Sequence, residues 1–189
     1  MPNGPPLELD TLPGRHPLVG AALLHSFAPP VIVRLCLDPT PQPLGTMERK
    51  VEVDWLRRAG NVAATKGHRD IRWNGLQHVL SLICPQLLVT VNDRTLTEQA
   101  AVGVMALLVH ELEGAELQSV LQIGSGGDYL VRVPGANSYI QVEVSGIRLD
   151  AGGNLSTTRL RQKSAQVLTH TRVGFASVTT YSHLAGGRL

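Results

Sequence analysis

Hydrophobic positions in the C-terminal half of the chain repeat with two periods, one typical of strands and one typical of helices. Two stretches rich in β-branched and aromatic residues, 124–133 and 139–147, predict neighbouring strands. Apolar residues at helical spacing predict a long helix over 96–114 before them. A basic helix is predicted over 156–170 and a last strand over 174–183. The predicted order is helix, three strands, helix, strand, in which the first of the three strands, before 124, is assigned no bounds.

The middle of the chain has weaker patterns. Alternating apolar and polar residues over 30–38 and 48–57 predict two antiparallel strands that form an appended hairpin. The polar stretch 58–70 is interpreted as a loop. A helix is then predicted over 71–83 and a short strand over 87–91.

The first part of the chain is dominated by proline and glycine. Residues 1–29 are therefore interpreted as a poorly structured arm with a short helical piece, able to dock on the core or on a protein partner. The predicted division is this arm, accessory strands and a helix over 30–95, and a core over 96–189. At 189 residues the chain is expected to be one domain, or one core with an N-terminal extension.

Composition excludes several classes of protein. Hydrophobic residues make up 43% of the chain and charged residues 17%, which is typical of a globular protein. Neither a membrane-spanning apolar run nor a signal-peptide pattern is found, so a cytoplasmic location without membrane contact is expected. Cys36 and Cys84 lie in apolar surroundings, which predicts buried thiols. The chain has no dinucleotide or phosphate-loop motif, so no nucleotide cofactor is expected.

Charge is distributed unevenly along the C-terminal half. Residues 92–147 carry seven acidic and two basic side chains, whereas 148–189 carry six basic and one acidic. An acidic cluster that can hold a metal, next to a basic element that can bind phosphates, suits an enzyme acting on phosphodiesters. Alternatively, the two segments only neutralise each other on the folded surface.

Two carboxylates in the predicted strands are the main candidates for chemistry. Asp128 directly follows the glycine-rich segment 124–127 and begins its strand. Glu143 lies in the middle of an apolar strand, where an unpaired charge would be unfavourable. Three features could compensate the charge of Glu143: a metal ion, an ion pair with Arg159 or Lys163 of the basic helix, or exposure at an edge of the sheet.

The chain resembles the core of the PD-(D/E)xK nuclease superfamily in two respects. Its predicted elements follow the order helix, three strands, helix, strand. An Asp begins the second of the three strands, and a Glu lies in the third. The resemblance implies an α/β restriction-endonuclease-like fold. It also implies that Asp128 and Glu143 hold Mg²⁺ or Mn²⁺ and that a lysine two residues after the glutamate assists the attacking water. In this chain Ser145 occupies the lysine position.

The missing lysine can be compensated in two ways. Lys163 can reach the site from the basic helix, or the metal alone can activate the water. The resemblance also implies an additional acidic ligand on the first helix, for which Glu111 and Glu113 are candidates and Glu113 is chosen. Substrate phosphates and backbone are assigned to four residues of the second helix: Arg159, Arg161, Gln162 and Gln166.

Two functions follow from this interpretation. The first is a metal-dependent nuclease acting on nucleic acid. The second is an inactive nuclease fold used as a binding or assembly subunit of a bacterial multi-protein complex in defence, secretion or nucleic-acid handling. Carboxylates of Asp128 and Glu143 within about 5 Å of each other and facing a cleft would favour the metal site. A salt bridge from Arg159 or Lys163 that fills the space between them would favour the inactive form.

Overall fold

The computed structural model describes residues 5–35, 47–58, 65–74, 76, 83–120, 128–147, 155–170 and 174–181. These residues form a mixed α/β fold around a seven-stranded sheet of order β1-β3-β2-β7-β6-β5-β4. The strands are β1 Leu7–Glu8, β2 Met47–Arg58, β3 Thr65–Trp73, β4 Glu116–Val120, β5 Tyr129–Arg132, β6 Tyr139–Ile147 and β7 Gly174–Thr180. The helices are α1 Leu12–Arg15, α2 Gly20–Leu35, α3 Cys84–Thr90, α4 Asp93–Glu113 and α5 Leu155–His170.

The C-terminal half has the predicted order of elements, α4, β4, β5, β6, α5 and β7. Strand β5 pairs antiparallel with β4 and β6, while β6 pairs parallel with β7, so this part of the sheet is mixed. The parallel pairing follows from the connection, because α5 carries the chain from the end of β6 back to the start of β7. The predicted α/β class is confirmed.

Helices α4 and α5 lie on opposite faces of the sheet. Val142, Val144 and Phe175 belong to the main hydrophobic core together with α4, whereas Ala176 and Val178 pack with Leu160 of α5. Successive residues of a strand point to opposite faces, and the parallel register places Glu143 opposite Ala176. Glu143 and Ser145 therefore lie on the α5 face.

Helix α4 is buried along most of its length. Its N-cap is Asn92, whose side chain accepts a hydrogen bond from Thr95 N at 2.9 Å, so the helix begins at Asp93, before the predicted start at 96. Gly114 ends the helix in the left-handed conformation at φ 61°, as predicted. A Cβ on Gly103 would lie 2.6 Å from Val31 Cγ2, so α2 packs closely on α4. The helix is buried between α2 and the sheet and has more than one apolar face.

The described part of the N-terminal segment, residues 5–29, is packed on the core, and the prediction of a poorly structured arm was wrong for these residues. Leu7, Leu9 and Leu12 are fully buried, and β1 pairs with β3. The strand predicted over 30–38 was also wrong, because its described part, 30–35, continues helix α2. A continuous apolar run has no periodicity that separates strand from helix, and here packing on α4 favours the helix.

Strand β2 confirms the strand predicted over 48–57, but its partner is β3. The loop predicted over 58–70 was wrong in its described second part, because β3 begins at Thr65. Strand β2 also pairs with β7, so β2 and β3 extend the same sheet as the C-terminal strands.

The predictions for the segment before α4 were wrong in two places. Residues 71–73 belong to β3 and not to a helix; residues 77–82 of that predicted helix lie outside the described part of the chain. The predicted strand 87–91 lies largely within helix α3, in which Pro85 occupies the first turn. Proline favours this position because its fixed φ suits a helix start, where its missing N–H has no intrahelical acceptor.

Two further predictions concern the core and the membrane. Cys84 is buried, as predicted, and Cys36 lies outside the described residues. None of the described helices combines the length and the apolar composition needed to cross a membrane.

A buried histidine connects the N-terminal segment to the core. His16 is fully buried; its Nε2 lies 2.8 Å from Ala106 O, and its Nδ1 accepts a hydrogen bond from Leu117 N at 3.0 Å. Since Nδ1 must accept, the proton lies on Nε2 and the ring is neutral. Burial lowers the pKa of His16, against the opposing effect of the Ala106 hydrogen bond. Protonation would break the Leu117 contact.

The stability of the protein is therefore expected to fall on mild acidification. The folded-state pKa of His16 is lowered, so the stability that it confers is complete above its unfolded pKa of about 6.5 and decreases as the pH falls towards the folded-state pKa. When the pH is lowered from about 7.5 to about 5.5, the free energy of unfolding of wild type should fall by about 1 kcal/mol more than that of His16→Gln. The glutamine amide keeps one donor and one acceptor and does not titrate. Urea unfolding at both pH values measures this, with exposed His25→Gln as the control. An equal loss in His16→Gln would contradict it.

Candidate functional site

Three charged side chains from three different elements meet at one point. Asp128 directly precedes β5, Glu143 lies in the middle of β6, and Lys163 lies on α5. Lys163 Nζ donates hydrogen bonds to Asp128 Oδ2 at 3.0 Å and to Glu143 Oε2 at 2.6 Å. Pairing of β5 with β6 brings the carboxylates together, since Asp128 N donates to Val142 O at 3.2 Å. We call these three side chains the carboxylate–lysine cluster.

The three side chains of the cluster differ in solvent exposure. The exposed fraction of the side chain is 5% for Glu143, 17% for Lys163 and 38% for Asp128. A carboxylate as buried as Glu143 requires a compensating charge, and Lys163 provides it. The sequence predicted both this requirement and Lys163 as a candidate partner.

Asp128 also binds the backbone of β6. Its Oδ2 accepts a hydrogen bond from Val144 N at 2.8 Å, two residues beyond the strand pairing of Val142. The N–H and C=O of one residue point to the same side of a strand, so the Val144 carbonyl faces the Asp128 side as well. The Val144 carbonyl is therefore the backbone oxygen that a ligand bound beside Asp128 could contact.

Burial and the neighbouring charges shift the pKa values of Glu143 and Lys163. Burial raises the pKa of Glu143, and the charge of Asp128 acts in the same direction, while the hydrogen bond from Lys163 opposes both. Burial alone would lower the pKa of Lys163, but its hydrogen bond to Glu143 and the charge of Asp128 outweigh that effect and raise it. Lys163 therefore remains an ammonium at neutral pH, shared between two carboxylates.

Two members of the cluster, Asp128 and Lys163, line a cleft of about 1180 Å³. One wall comes from the first half of α4 and includes Arg94, Glu98 and Gln99. The cleft also includes Tyr129, whose pKa is raised to about 12 by burial and by the charge of Asp128. The opposite wall is α5.

Most of the predicted substrate-binding residues line this cleft. Arg159, Gln162 and Gln166 lie along the α5 wall, and Ser145, which occupies the lysine position of the motif, lies in the lining from β6. Arg161 is exposed and is not part of the lining, so the structure does not bring it together with the other predicted substrate-binding residues. Two residues along an α-helix rotate the side chain by about 200°, which turns Arg161 away from Lys163.

The predicted metal ligand Glu113 lies far from the cluster, and this prediction was wrong. Glu113 Oε1 accepts a hydrogen bond from Trp55 Nε1 at 3.1 Å, at the C-terminal end of α4. The cleft contacts Thr97 near the other end of the helix, about 24 Å away along the axis. The other candidate, Glu111, pairs with Arg69 at 2.8 Å.

Sequence reasoning missed the residues that α4 does place in the cleft, above all Arg94, Glu98 and Gln99. One signal was available. Gly146 lies three residues after Glu143, and a glycine inside a strand often marks the close approach of another backbone. In the structure a Cβ at Gly146 would overlap the carbonyl oxygen of Thr97, so the N-terminal part of α4 lies on this strand.

Among the described residues, no three or more His, Cys, Asp or Glu side chains are arranged to hold a metal ion. Two carboxylates and a backbone oxygen nevertheless suit Mg²⁺, which is commonly bound by one or two carboxylates together with water and substrate phosphates. The Lys163 ammonium contacts one oxygen of each carboxylate, Asp128 Oδ2 and Glu143 Oε2.

The arrangement can thus perform two kinds of task. It can hold a hard cation and a phosphate together in the cleft, or it can neutralise two acidic side chains with one lysine. Comparisons of the chain with protein-family models, with curated proteins and with solved structures found no match.

Proposed function

We propose that this chain is a divergent restriction-endonuclease-like nuclease that hydrolyses phosphodiester bonds with a divalent metal ion. The observation that carries the proposal is that Lys163 joins the buried Glu143 to Asp128, and that Lys163 and Asp128 line a cleft. The order α4, β4, β5, β6, α5, β7 and the mixed pairing of the last four strands support the nuclease-like core that the sequence pattern implies.

The metal would be held by Asp128, Glu143 and the carbonyl oxygen of Val144. When bound, Mg²⁺ or Mn²⁺ lowers the pKa of a coordinated water and neutralises charge on the phosphate. Asp128 is the most exposed member of the cluster and lies towards the cleft, whereas Glu143 is fixed inside the sheet. This division lets one carboxylate meet the substrate while the other anchors the site.

Lys163 takes the role that the resemblance assigns to a lysine at position 145. Its ammonium stabilises negative charge that develops on the phosphate, and its raised pKa keeps it charged at neutral pH. Ser145 carries no charge and cannot supply this effect. Arg159, Gln162 and Gln166 lie along the same wall and would position the substrate backbone.

A second candidate function is a catalytically inactive binding subunit of a multi-protein complex. One observation favours it specifically: the Lys163 ammonium fills the space between the carboxylates, which is the arrangement expected of a structural ion pair. In that case the cluster would stabilise the packing of α5 on β6 and would take up no metal.

Metal titration separates the two functions. Calorimetry with Mn²⁺ and Mg²⁺ should show binding by wild type and at least tenfold weaker binding by Asp128→Asn and Glu143→Gln, because each removes one of two anionic ligands. Glu113→Gln is the matched control, since this carboxylate lies at the far end of α4. It should bind like wild type.

The same four proteins are then incubated with end-labelled DNA and RNA, with and without Mg²⁺. Metal binding that depends on Asp128 and Glu143, together with metal-dependent cleavage, supports the nuclease. The absence of metal binding by wild type, or equal binding by all four proteins, rejects it in favour of the inactive binding subunit.

A further inference from the structure

The cleft runs around an edge of the sheet. Helix α4 packs on the face of Val142 and Val144, and α5 packs on the face of Glu143, yet both helices line the same cleft. This is possible because the register of β5 with β6 ends at Val142. Among the described strands, none pairs with residues 143–147 on that side, and the cleft passes from one face to the other there.

The cleft has one arginine on the α4 side of the sheet and one on the α5 side. Arg94 projects from the first turn of α4, and Arg159 projects from α5; both are exposed, and both line the cleft. The N-terminus of α4 carries a partial positive charge, so the helix does not stabilise the positive charge of Arg94, and an anion bound there would be favourable. Its pairing with Glu98 at 3.2 Å is an exposed ion pair, which is weak and readily exchanged for another anion. Both arginines can therefore bind phosphates in the same cleft that Asp128 and Lys163 line.

Two of the few aromatic side chains in the chain also line the cleft. They are Phe27 of α2 and Tyr129 of β5, and both are partly buried with part of the side chain exposed. Aromatic side chains next to a cationic path are the usual means of binding unpaired bases, which stack on them without sequence preference. Paired bases within a duplex are already stacked and cannot make this contact.

The dimensions of the cleft also favour one strand. Its volume of about 1180 Å³ slightly exceeds the range of about 300–1,000 Å³ for small-molecule pockets, which suits a few nucleotides. One turn of duplex is about 34 Å long, and duplex DNA is stiff over about 150 base pairs, so it cannot follow a path around the edge of a sheet. In addition, Asp128 and Lys163 line the cleft, so a phosphate that contacts them must enter it.

We infer that the cleft binds a single strand of nucleic acid that bends around the edge of β6, with phosphates on Arg94 and Arg159 to either side of the carboxylate–lysine cluster. This inference rests on the proposed function and specifies its substrate. Arg94 is then a binding residue contributed by the face of the sheet opposite to α5.

Fluorescence anisotropy tests the inference with three labelled probes of one sequence: single-stranded DNA, single-stranded RNA and duplex DNA. Divalent metal is omitted so that no cleavage competes with binding. Wild type should bind a single-stranded probe at least about tenfold more tightly than the duplex. Arg94→Gln should weaken that binding severalfold and reduce the salt dependence by about one phosphate contact, whereas the control Arg161→Gln, exposed but outside the cleft, should not.

Duplex binding as tight as single-strand binding, or an Arg94→Gln variant that behaves like wild type, would overturn the inference. Its failure is distinguishable from failure of the proposed function. Metal-dependent cleavage of duplex DNA that is unaffected by Arg94→Gln would retain the nuclease and reject the single-strand path. Single-strand binding that needs Arg94 but is followed by no cleavage would retain the path and reject the nuclease.

Discussion

Replacing Lys163 with methionine is expected to reduce metal-dependent cleavage by at least about 10²-fold and, at the same time, to tighten Mn²⁺ binding. Activity should fall because the substitution removes the Lys163 ammonium, which would stabilise the negative charge that develops on the phosphate. The gain in affinity follows from the contacts of Lys163, which neutralises both carboxylates at 2.6 and 3.0 Å. Without this neutralisation, Asp128 and Glu143 repel each other, and a divalent cation relieves the repulsion.

Stability gives an independent measurement of the same change. In the absence of metal, Lys163→Met leaves the buried Glu143 carboxylate without its partner, so its urea midpoint should fall below that of wild type. Saturating Mn²⁺ should then raise the midpoint of Lys163→Met more than that of wild type, because a ligand that binds only the folded state stabilises it in proportion to its affinity.

The matched control is Lys163→Arg, which keeps the positive charge on a planar, less mobile group. It should preserve most of the stability without metal and should show no gain in Mn²⁺ affinity. If Lys163→Met loses stability and Mn²⁺ restores none of it, the cluster is a structural ion pair. The inactive binding subunit is then the better description of this protein.

The central part of this site could be predicted from the sequence because it depends on short-range geometry. Alternation along 139–147 places Glu143 and Ser145 on one face, and spacing of three or four residues along a helix places Arg159, Lys163 and Gln166 on one side. The cost of burying Glu143 then required a cationic partner. These arguments need no knowledge of how distant elements pack.

The errors at the site concern long-range packing. The assignment of a ligand role to Glu113 assumed that the C-terminal end of α4 lies near the carboxylates, whereas the N-terminal end does. The orientation of a helix on a sheet is set by tertiary contacts, such as that between Gly146 and Thr97, and not by the composition of the helix. For the same reason Arg94 and Glu98 could not be assigned to the site.

The errors in the fold have a related cause. Residues 30–35 and 87–90 are rich in Val, Ile and Leu, which favour strands when considered alone, yet both segments are helical. Segment 30–35 is buried against α4, so packing overrides its local preference. In contrast, 139–147 and 174–180 pair within the sheet and form strands as their composition predicts.

Adding one methyl group at Gly146 is expected to destabilise the protein by about 3 kcal/mol. A Cβ at this position would overlap the carbonyl oxygen of Thr97 and would lie 2.9 Å from its carbonyl carbon. These are backbone atoms of α4, so no side-chain rotation can relieve the overlap, and the helix must move away from β6. Urea unfolding of Gly146→Ala measures the cost, and Gly14→Ala is the control because a Cβ there meets nothing within 4 Å.

The same substitution also tests whether α4 belongs to the functional site. Gly146 and Thr97 both line the cleft, and Arg94 lies one turn before Thr97 on the same helix. Displacement of α4 would therefore move Arg94 and Glu98 relative to the carboxylate–lysine cluster, which β5, β6 and α5 hold without α4. Gly146→Ala that still folds at low temperature should keep its Mn²⁺ binding and lose affinity for single-stranded probes. An unchanged urea midpoint would mean that α4 does not contact β6 at this glycine, and the cleft would lose one of its two walls.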